Sequence, residues 1–436
     1  MQMFKIAALL IAFALPARAE IAIQTITSPG GITAWLVEEP EIPFTALEIR
    51  FRGGTSLDVE GKRGAVNLMT ALIEEGTGDL DSTGFARARD SLAASFRFGS
   101  DEDAISVSAR FLTENREASV DLLRRALTEP RFDQPSIDRV RGQVLAGLRQ
   151  DAKDPNAMAG QTLRALAFGD HPYASKGDGT EATVQTLTRD DIVAAHKAAI
   201  ARDRVYVAAA GDISAEDLGL LIDHLLEGLP ATGAALPPRA PMKLTGGITV
   251  QDFPGPQSTV IFAQDGLKRD DPDFFAASIL NEILGGGRFS ARLMTEVREK
   301  RGLTYGISSY LVGYDQAELL MGQFSSANGT VGQAIEVIRD EWRKIATDGV
   351  TEAEVQATKT YLTGSYPLRF AGNGQIASML VGMQMIGLSA DYPKTRNDKV
   401  NAVTMEDVKR VAARLFKPDD LRFVVVGQPE GIVATD

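Results

Sequence analysis

Apolar positions along this chain recur at two spacings, every three to four residues and every second residue, which indicates mixed helices and strands. One succession of such elements occurs twice. From Thr188 a helical pattern leads to an apolar run at Val205–Ala210. At an offset of 216 residues, without a gap, Thr404 opens the same pattern, which ends in the run Leu421–Val426. Each threonine stands three residues before an acid, as in a capping box. The shared succession predicts an internal duplication.

The beginnings of the two repeats agree as well, since each opens with two strands before its first helix. The predicted strands are Ile32–Val37 and Thr45–Phe51, then Ile248–Gln251 and Thr259–Ala263. In the second repeat Asp271-Pro272 predicts the start of a helix, and Gly285-Gly286-Gly287 predicts its end. Strands and helices are mixed without strand–helix–strand alternation. This favours the α+β class, with helices covering one face of a mostly antiparallel sheet.

A proline-rich stretch separates the repeats. Residues 229–245 carry four prolines and have neither helical nor strand periodicity, which predicts a linker. The chain of 436 residues also exceeds one domain of usual size. We therefore expect an N-terminal domain over 20–228, called the first half, and a C-terminal domain over 246–436, called the second half.

The N-terminus has the features of a secretory signal peptide spanning 1–19. Lys5 precedes the apolar run Ile6–Leu15, and Ala17-Arg18-Ala19 fits a cleavage site. The alternative is a membrane anchor, but the apolar run has about ten residues against the roughly 20 that span a bilayer. The sequence therefore predicts cleavage after Ala19, a bacterial periplasmic location and no membrane contact afterwards.

Composition excludes several kinds of chemistry. The net charge of −12 argues against a nucleic-acid partner, which requires a basic face. The absence of cysteine excludes disulfides, thiol nucleophiles and cysteine-ligated zinc. The three histidines are His171, His196 and His224, too far apart to share one element. We expect a turn role for His171, a structural role for His196 and a helix-surface position for His224.

Two further polar features carry no recognisable chemistry. The glycine triplet 285–287 is not followed by the Lys-Ser/Thr pair of a phosphate-binding loop, and no Gly-x-Gly-x-x-Gly occurs. The acidic run Asp101-Glu102-Asp103 lies between predicted strands. Such a run is typical of a solvated turn.

Two adjacent motifs of the second half carry a family resemblance. They are Gly285-Gly286-Gly287-Arg288-Phe289-Ser290-Ala291-Arg292-Leu293 and Glu296-Val297-Arg298-Glu299-Lys300-Arg301-Gly302-Leu303-Thr304-Tyr305. They resemble the second-domain signature of the M16 (pitrilysin-type) zinc peptidases, which include the mitochondrial processing peptidase, insulin-degrading enzyme and the respiratory bc1-complex core proteins. Further matches are His171-Pro172-Tyr173, Thr188–Ile213, Lys62-Arg63-Gly64 and Gly76-Thr77. The resemblance implies two homologous α/β-sandwich domains per chain, and chains that pair around a peptide chamber.

The resemblance also shows what this chain lacks. The family's H-x-x-E-H motif supplies two zinc ligands and a general base, and a distal Glu is the third ligand. The matching positions here are Asn67, Thr70 and Ala71, and the distal position is Gly147. These residues offer no ordinary zinc ligand or base. We therefore expect no zinc in this chain and no proteolysis by this chain alone.

The other half of the family's site is retained. Arg298 and Tyr305 keep the seven-residue spacing of an Arg/Tyr pair that, by the resemblance, faces the chamber and polarises the scissile carbonyl. An arginine and a phenol are both suited to a developing oxyanion. The alternative is structural: Arg298 would serve a helix end and Tyr305 would pack in a strand.

These observations predict the zinc-less subunit of a heterodimeric periplasmic M16-type metalloendopeptidase. The partner would be a homologous subunit that carries H-x-x-E-H and the zinc, and the substrate a peptide or an unfolded protein. The alternative is a non-enzymatic scaffold or peptide-binding protein of the same fold. A third reading, an active peptidase with an unrecognised metal site, is disfavoured by only three scattered histidines.

Overall fold

A computed structural model describes residues 21–435, so the predicted signal peptide at 1–19 lies outside the described residues. The strands are β1 Gln24–Thr27, β2 Thr33–Glu38, β3 Phe44–Arg52, β4 Gly76–Thr77, β5 Leu80–Asp81, β6 Ser95–Ser100, β7 Ala104–Leu112, β8 Val205–Gly211, β9 Gly247–Asp252, β10 Gln257–Asp265, β11 Ile307–Gly313, β12 Glu318–Ala327 and β13 Arg422–Gly427. The helices of the first half are α1 Ala65–Ala71, α2 Ser82–Ser91, α3 Arg116–Thr128, α4 Gln134–Asp151, α5 Pro155–Phe168, α6 Glu181–Thr186, α7 Arg189–Ala199 and α8 Ala215–Leu226. The helices of the second half are α9 Phe274–Gly285, α10 Val331–Asp348, α11 Glu352–Ser365, α12 Asn373–Met385, α13 Tyr392–Ala402 and α14 Met405–Leu415, with a π-helical turn at Met294–Glu299. Short 3-10 helices lie at Gly54–Leu57, Thr113–Asn115, Pro172–Ala174, Arg202–Arg204, Tyr366–Phe370 and Pro418–Asp420.

The duplication is visible in the order of the strands. The first sheet runs β1-β2-β8-β3-β7-β6, and the second runs β9-β13-β10-β12-β11 when listed from its opposite edge. Apart from β1, the two orders correspond strand for strand. Each sheet has one parallel pair, β2 with β8 and β9 with β13, and its other pairs are antiparallel. The predicted α+β class and the mostly antiparallel sheets are confirmed.

The matching helices α7 and α14 begin in the same way. The Thr188 hydroxyl accepts a hydrogen bond from the backbone N–H of Asp191 at 3.2 Å, and the Asp191 carboxylate accepts from the N–H of Thr188 at 2.8 Å. Thr404 and Asp407 repeat this exchange at 3.1 and 3.0 Å. Both predicted capping boxes are present, and each satisfies two backbone donors that a helix start leaves unpaired.

Both faces of each sheet are covered, which the sequence analysis did not foresee. The helices of each half pack on one face of their own sheet. The opposite face is covered by a helix of the other half: α5 lies on β10 and β13, and α12 lies on β3 and β8. Leu163 of α5 and Leu380 of α12 are fully buried there. The reason is the sequence of the central strands, since β8 and β13 are apolar on both faces and need two covers. Each half therefore packs one helix against the sheet of the other half.

The predicted start of α9 is wrong by a few residues. The helix begins at Phe274, and Asp271 accepts from the backbone N–H of Asp273 at 2.8 Å in the preceding turn. The Asp271 carboxylate pairs with Arg414 of α14 at 2.8 Å. The carboxylate is thus used to hold a neighbouring helix rather than to cap its own. The predicted end at the glycine triplet agrees with the structure, in which α9 stops at Gly285.

The segment between α8 and β9 follows the predicted linker. Residues 227–246 form neither helix nor strand. The linker is nevertheless held in place, because Ala240 donates its N–H to Gln316 and Lys243 donates to Ala167, both at 2.9 Å. The domain boundaries at 228 and 246 stay a prediction. Within residues 21–435, none of the helices combines the length and apolar character that a membrane crossing needs.

Candidate functional site

The backbone that carries Arg298 and Tyr305 is a π-helical turn followed by a reversal. In the turn Met294–Glu299, the N–H of Lys300 donates five residues back, to Thr295, at 3.0 Å. Gly302 has a φ of +64°, a conformation that L side chains rarely adopt, and its N–H donates to the Arg298 carbonyl at 2.9 Å. Such π-helical turns are uncommon and are found frequently at functional sites. The reversal at Gly302 brings the segment that follows it back beside the last helical turn.

Tyr305 projects into solvent from a loop that is anchored to β12 by the two residues before it. The Ser326 hydroxyl donates to the Leu303 carbonyl at 2.6 Å, and the Thr304 hydroxyl lies 2.7 Å from the Ser325 carbonyl. Tyr305 itself is 89% exposed. Its hydroxyl forms no hydrogen bond within residues 21–435, and β11 begins only at Ile307. The structural alternative, a tyrosine packed in a strand, does not describe this residue.

Arg298 differs from the other cations of its segment in having no acidic partner. Four neighbouring cations pair with carboxylates: Arg288 with Glu282 at 3.0 Å, Arg292 with Glu354 at 2.7 Å, and Lys300 and Arg301 with Glu296 at 2.6 and 2.8 Å. The hydrogen bonds from Lys300 and Arg301 lower the pKa of Glu296, which keeps that carboxylate ionised. In the described part of the chain no carboxylate pairs with Arg298. Its guanidinium carbon instead lies 5.0 Å from the centre of the Phe289 ring.

Two open clefts meet at Tyr305. One, of about 700 Å³, is bordered by Arg298 and Glu299, and the other, of about 470 Å³, reaches Asn156 on α5 of the first half. The remaining lining is mostly uncharged: Gln257, Thr304, Gly306, Ser308, Gln323, Ser325 and Thr330 are among it. An unpaired guanidinium and a free phenol at such a junction can donate hydrogen bonds to a carbonyl oxygen or an oxyanion.

The four positions that the resemblance aligns with the family's zinc motif lie on two helices in contact, α1 and α4. Ala71 and Gly147 are exposed, and Asn67 accepts a 3.4 Å hydrogen bond from the Ser100 hydroxyl. Thr70 is buried, and its hydroxyl donates to the Val66 carbonyl at 2.8 Å. Across residues 21–435 no three side chains of His, Asp or Glu come together as a group that could hold a metal. This wall therefore offers a metal neither ligands nor a base.

The three histidines have the roles expected of them. The His171 Nδ1 accepts from the N–H of Tyr173 at 3.2 Å, and its Nε2 donates to the Pro238 carbonyl at 2.9 Å. His196 is buried, and its Nε2 donates to a carbonyl of α3 at 2.8 Å. Burial lowers the pKa of both imidazoles, which favours their neutral form. His224 lies on the exposed surface of α8.

The interpretation of the acidic run as a solvated turn is wrong for two of its residues. Asp103 accepts hydrogen bonds from the Tyr173 hydroxyl and, at 2.9 Å, from the N–H of Asp315 in the second half. Glu102 pairs with Arg164 of α5. Burial raises the pKa of Asp103 to about 6. Because Asp103 accepts from Asp315, the turn between β6 and β7 lies against the turn between β11 and β12. The internal duplication is the one feature of the sequence that could have indicated this contact, because matching turns of two packed repeats can face each other.

Comparison with known proteins supports the family suggested by these residues. A family model described as the peptidase M16 inactive domain matches residues 186–362. A non-peptidase homolog from Helicobacter pylori, YmxG, is 25% identical over 391 residues, which cover 88% of this chain and 89% of that protein.

Two solved structures show the same fold. The crystal structure of a peptidase M16 inactive domain from Pseudomonas fluorescens matches with a TM-score of 0.87 and 30% identity, over 95% of this chain and 99% of that one. A chain of complex III2 from Candida albicans matches with a TM-score of 0.76 over 95% of this chain and 97% of that one, and its 16% identity supports the fold alone. The protein therefore belongs to the M16 peptidase family.

Proposed function

We propose that this chain is the zinc-less subunit of a heterodimeric M16-type metalloendopeptidase of the bacterial periplasm. The observation that carries the proposal is the contrast between two walls of one molecule. The α1/α4 wall holds no metal ligand, whereas Arg298 and Tyr305 are accessible and have no competing hydrogen-bond partners in the described chain. A donor pair left free in this way is available to hydrogen-bond a bound molecule.

The division of chemistry between the two subunits follows from this contrast. Zinc held by the partner's H-x-x-E-H motif would supply the activated water. Arg298 offers a planar set of N–H donors with a permanent charge, and Tyr305 offers one O–H donor. Both would stabilise the negative charge that develops on the carbonyl oxygen of the scissile bond. This chain would therefore contribute to the reaction without carrying the metal.

The lining of the two clefts supports a peptide or an unfolded protein as the substrate. Side-chain amides and hydroxyls line both clefts, and these groups pair with the N–H and C=O groups of an extended backbone. The few charges suggest little selection for charged substrate side chains at this position. The clefts would form one part of the chamber wall, and the partner would provide the rest.

A non-enzymatic scaffold or peptide-binding protein is the second candidate. It is favoured by the likeness to a chain of complex III2 and by the description of the Helicobacter pylori relative as a non-peptidase homolog. It gives no reason for an exposed phenol beside an unpaired arginine. The scaffold proposal therefore predicts that Tyr305 and Arg298 can be changed without consequence.

Reconstitution with a homologous M16 chain that carries H-x-x-E-H tests the proposal. We expect the two mature chains to elute together on size exclusion, burying well over ~2,000 Å² as obligate pairs do. We expect only the mixture to cleave a fluorogenic peptide efficiently. A homodimer that ignores the partner, or a partner equally active without this chain, would favour the scaffold. N-terminal sequencing of the protein from a periplasmic extract tests the location, with Glu20 as the expected first residue.

A further inference from the structure

We propose that Phe289 is a positioning residue for Arg298, and that its ring orients the guanidinium while leaving the N–H donors free. The proposal adds a residue to the site described above, and its consequence for catalysis rests on the proposed function. Two observations motivate it: the guanidinium carbon lies 5.0 Å from the ring centre, and Phe289 is 65% exposed. A phenylalanine this exposed contributes little to a hydrophobic core.

The manner in which Arg298 is held distinguishes it from its neighbours. A carboxylate binds a guanidinium in its plane and occupies its N–H groups, as Glu354 does with two hydrogen bonds to Arg292 at 2.7 and 2.9 Å. An aromatic ring contacts a cation through its face and accepts no in-plane hydrogen bond. The ring therefore restricts the direction of Arg298 without neutralising its charge. A group that must donate to a developing oxyanion needs both properties.

The loop that carries Phe289 is fixed on both sides. Arg288 donates to Glu282 and to the Thr358 hydroxyl, each at 3.0 Å. On the other side Ala291 is buried, and its N–H donates to the Arg288 carbonyl at 3.1 Å. The ring is thus presented to Arg298 by an anchored turn. A mobile ring would orient the guanidinium only briefly.

The first experiment measures the position of Arg298 without relying on activity. In the full mature chain labelled with ¹⁵N, the Nε–H signal of Arg298 is identified by its loss in Arg298→Lys. We expect a ring-current shift and restricted motion of this signal. Both should disappear in Phe289→Leu and persist in Phe289→Trp. Tyr361→Leu is the matched control, because it removes the ring beneath Arg288, whose guanidinium lies 4.6 Å from that ring, and should leave Arg298 unchanged. An unchanged Arg298 signal in a folded Phe289→Leu chain overturns the proposal.

The second experiment measures turnover by the reconstituted heterodimer. We expect Phe289→Leu to lower kcat about two- to fivefold with KM little changed, which is the range of an exposed cation–π contact. Phe289→Trp should restore the rate, and Phe289→Leu should have no further effect in an Arg298→Ala background. If Arg298→Ala slows turnover and Phe289→Leu does not, the positioning role is refuted while the proposed function stands. If the Arg298 signal depends on Phe289 but Arg298→Ala leaves turnover unchanged, the orientation by Phe289 stands and the proposed function fails.

Discussion

The two halves of this protein share one strand order but present different side chains at the positions of the proposed site. In the first half, the positions that would carry a metal hold small or hydrogen-bonded side chains, such as Gly147 and the buried Thr70. In the second half, Tyr305 and Arg298 remain accessible and have no competing hydrogen bond or ion pair in the described chain. Three of these four positions, Asn67, Ala71 and Gly147, are not buried, so their side chains contribute little to the core. The second wall retains a feature that the fold does not require.

Exposure and ion pairing distinguish a side chain that the fold uses from one that is available to another molecule. Four cations beside Arg298 pair with carboxylates: Arg288 and Arg292 pair with residues of α9 and α11, and Lys300 and Arg301 pair with Glu296 of the π-helical turn. Within residues 21–435, Arg298 forms no such pair and lies against the Phe289 ring instead. A residue that served only a helix end would be expected to pair like its neighbours. The predictions below test this contrast between the halves.

The largest expected effect is a gain of zinc binding when metal ligands are introduced into the first half. The natural chain should retain no stoichiometric zinc after dialysis. The triple variant Asn67→His/Ala71→His/Gly147→Glu should retain about one zinc per chain, because α1 and α4 are in contact and a Cβ atom added at Gly147 meets no atom within 4 Å. A dissociation constant of 1 μM would correspond to about 8 kcal/mol. Elemental analysis and calorimetry measure both quantities.

The double variant without Gly147→Glu is the control and should bind zinc more weakly. If the triple variant holds no more zinc than the natural chain, the assignment of the lost motif to these positions is wrong. One zinc retained by the natural chain would revive a hidden metal site, with His171 the first residue to examine.

The next largest effect concerns α5 and α12, the helices that pack on the sheet of the opposite half. Leu163→Ala in α5 and Leu380→Ala in α12 should each lower the free energy of unfolding by about 2–5 kcal/mol, since both side chains are fully buried. Each half has one tryptophan, Trp35 or Trp342, so Trp→Phe variants report on the halves separately. We expect each leucine substitution to shift both tryptophan transitions in urea. Leu220→Ala, at a 57% exposed position, is the control and should shift neither. A substitution that moves one transition alone would show that the halves unfold independently.

The smallest of these effects is a pH dependence where the halves meet. Burial raises the pKa of Asp103 from 3.8 to about 6, so the folded state holds this proton more tightly than the unfolded state. The associated stability is present below pH 4 and is lost as the pH rises through about 6, by up to about 3 kcal/mol. Asp103→Asn should remove this part of the decline in urea titrations between pH 4 and 7. Equal slopes in both proteins would contradict the assignment to Asp103.

Much of the fold was predictable because it repeats a local pattern. The capping boxes at Thr188 and Thr404 and the central strands β8 and β13 follow from residue types at short spacing. The packing of α5 and α12 on the sheet of the opposite half was not predictable in the same way. Apolar runs indicate that β8 and β13 are buried on both faces, but no local signal says which helix covers the second face.

The residues of the candidate site could be named from the sequence, but their arrangement in space could not. The family resemblance pointed to the Arg298/Tyr305 pair, whereas the loop that exposes Tyr305 is anchored by Ser325 and Ser326 of β12. The contact of Arg298 with Phe289 joins residues nine positions apart across a turn, and their spacing alone does not reveal it. The start of α9 was misplaced because Asp271 pairs with an arginine 143 residues further along the chain.

The most direct test of the account is the turnover of the reconstituted heterodimer with Tyr305→Phe. This change removes one hydroxyl and keeps the ring, so assembly and zinc content should stay unchanged. Loss of one donor to the oxyanion should lower kcat by about 10²–10³, or ~3–4 kcal/mol. Tyr361→Phe, which removes a 43% exposed phenol outside both clefts, should leave kcat unchanged. Full activity of a well-assembled Tyr305→Phe heterodimer would contradict the account and remove Tyr305 from the mechanism.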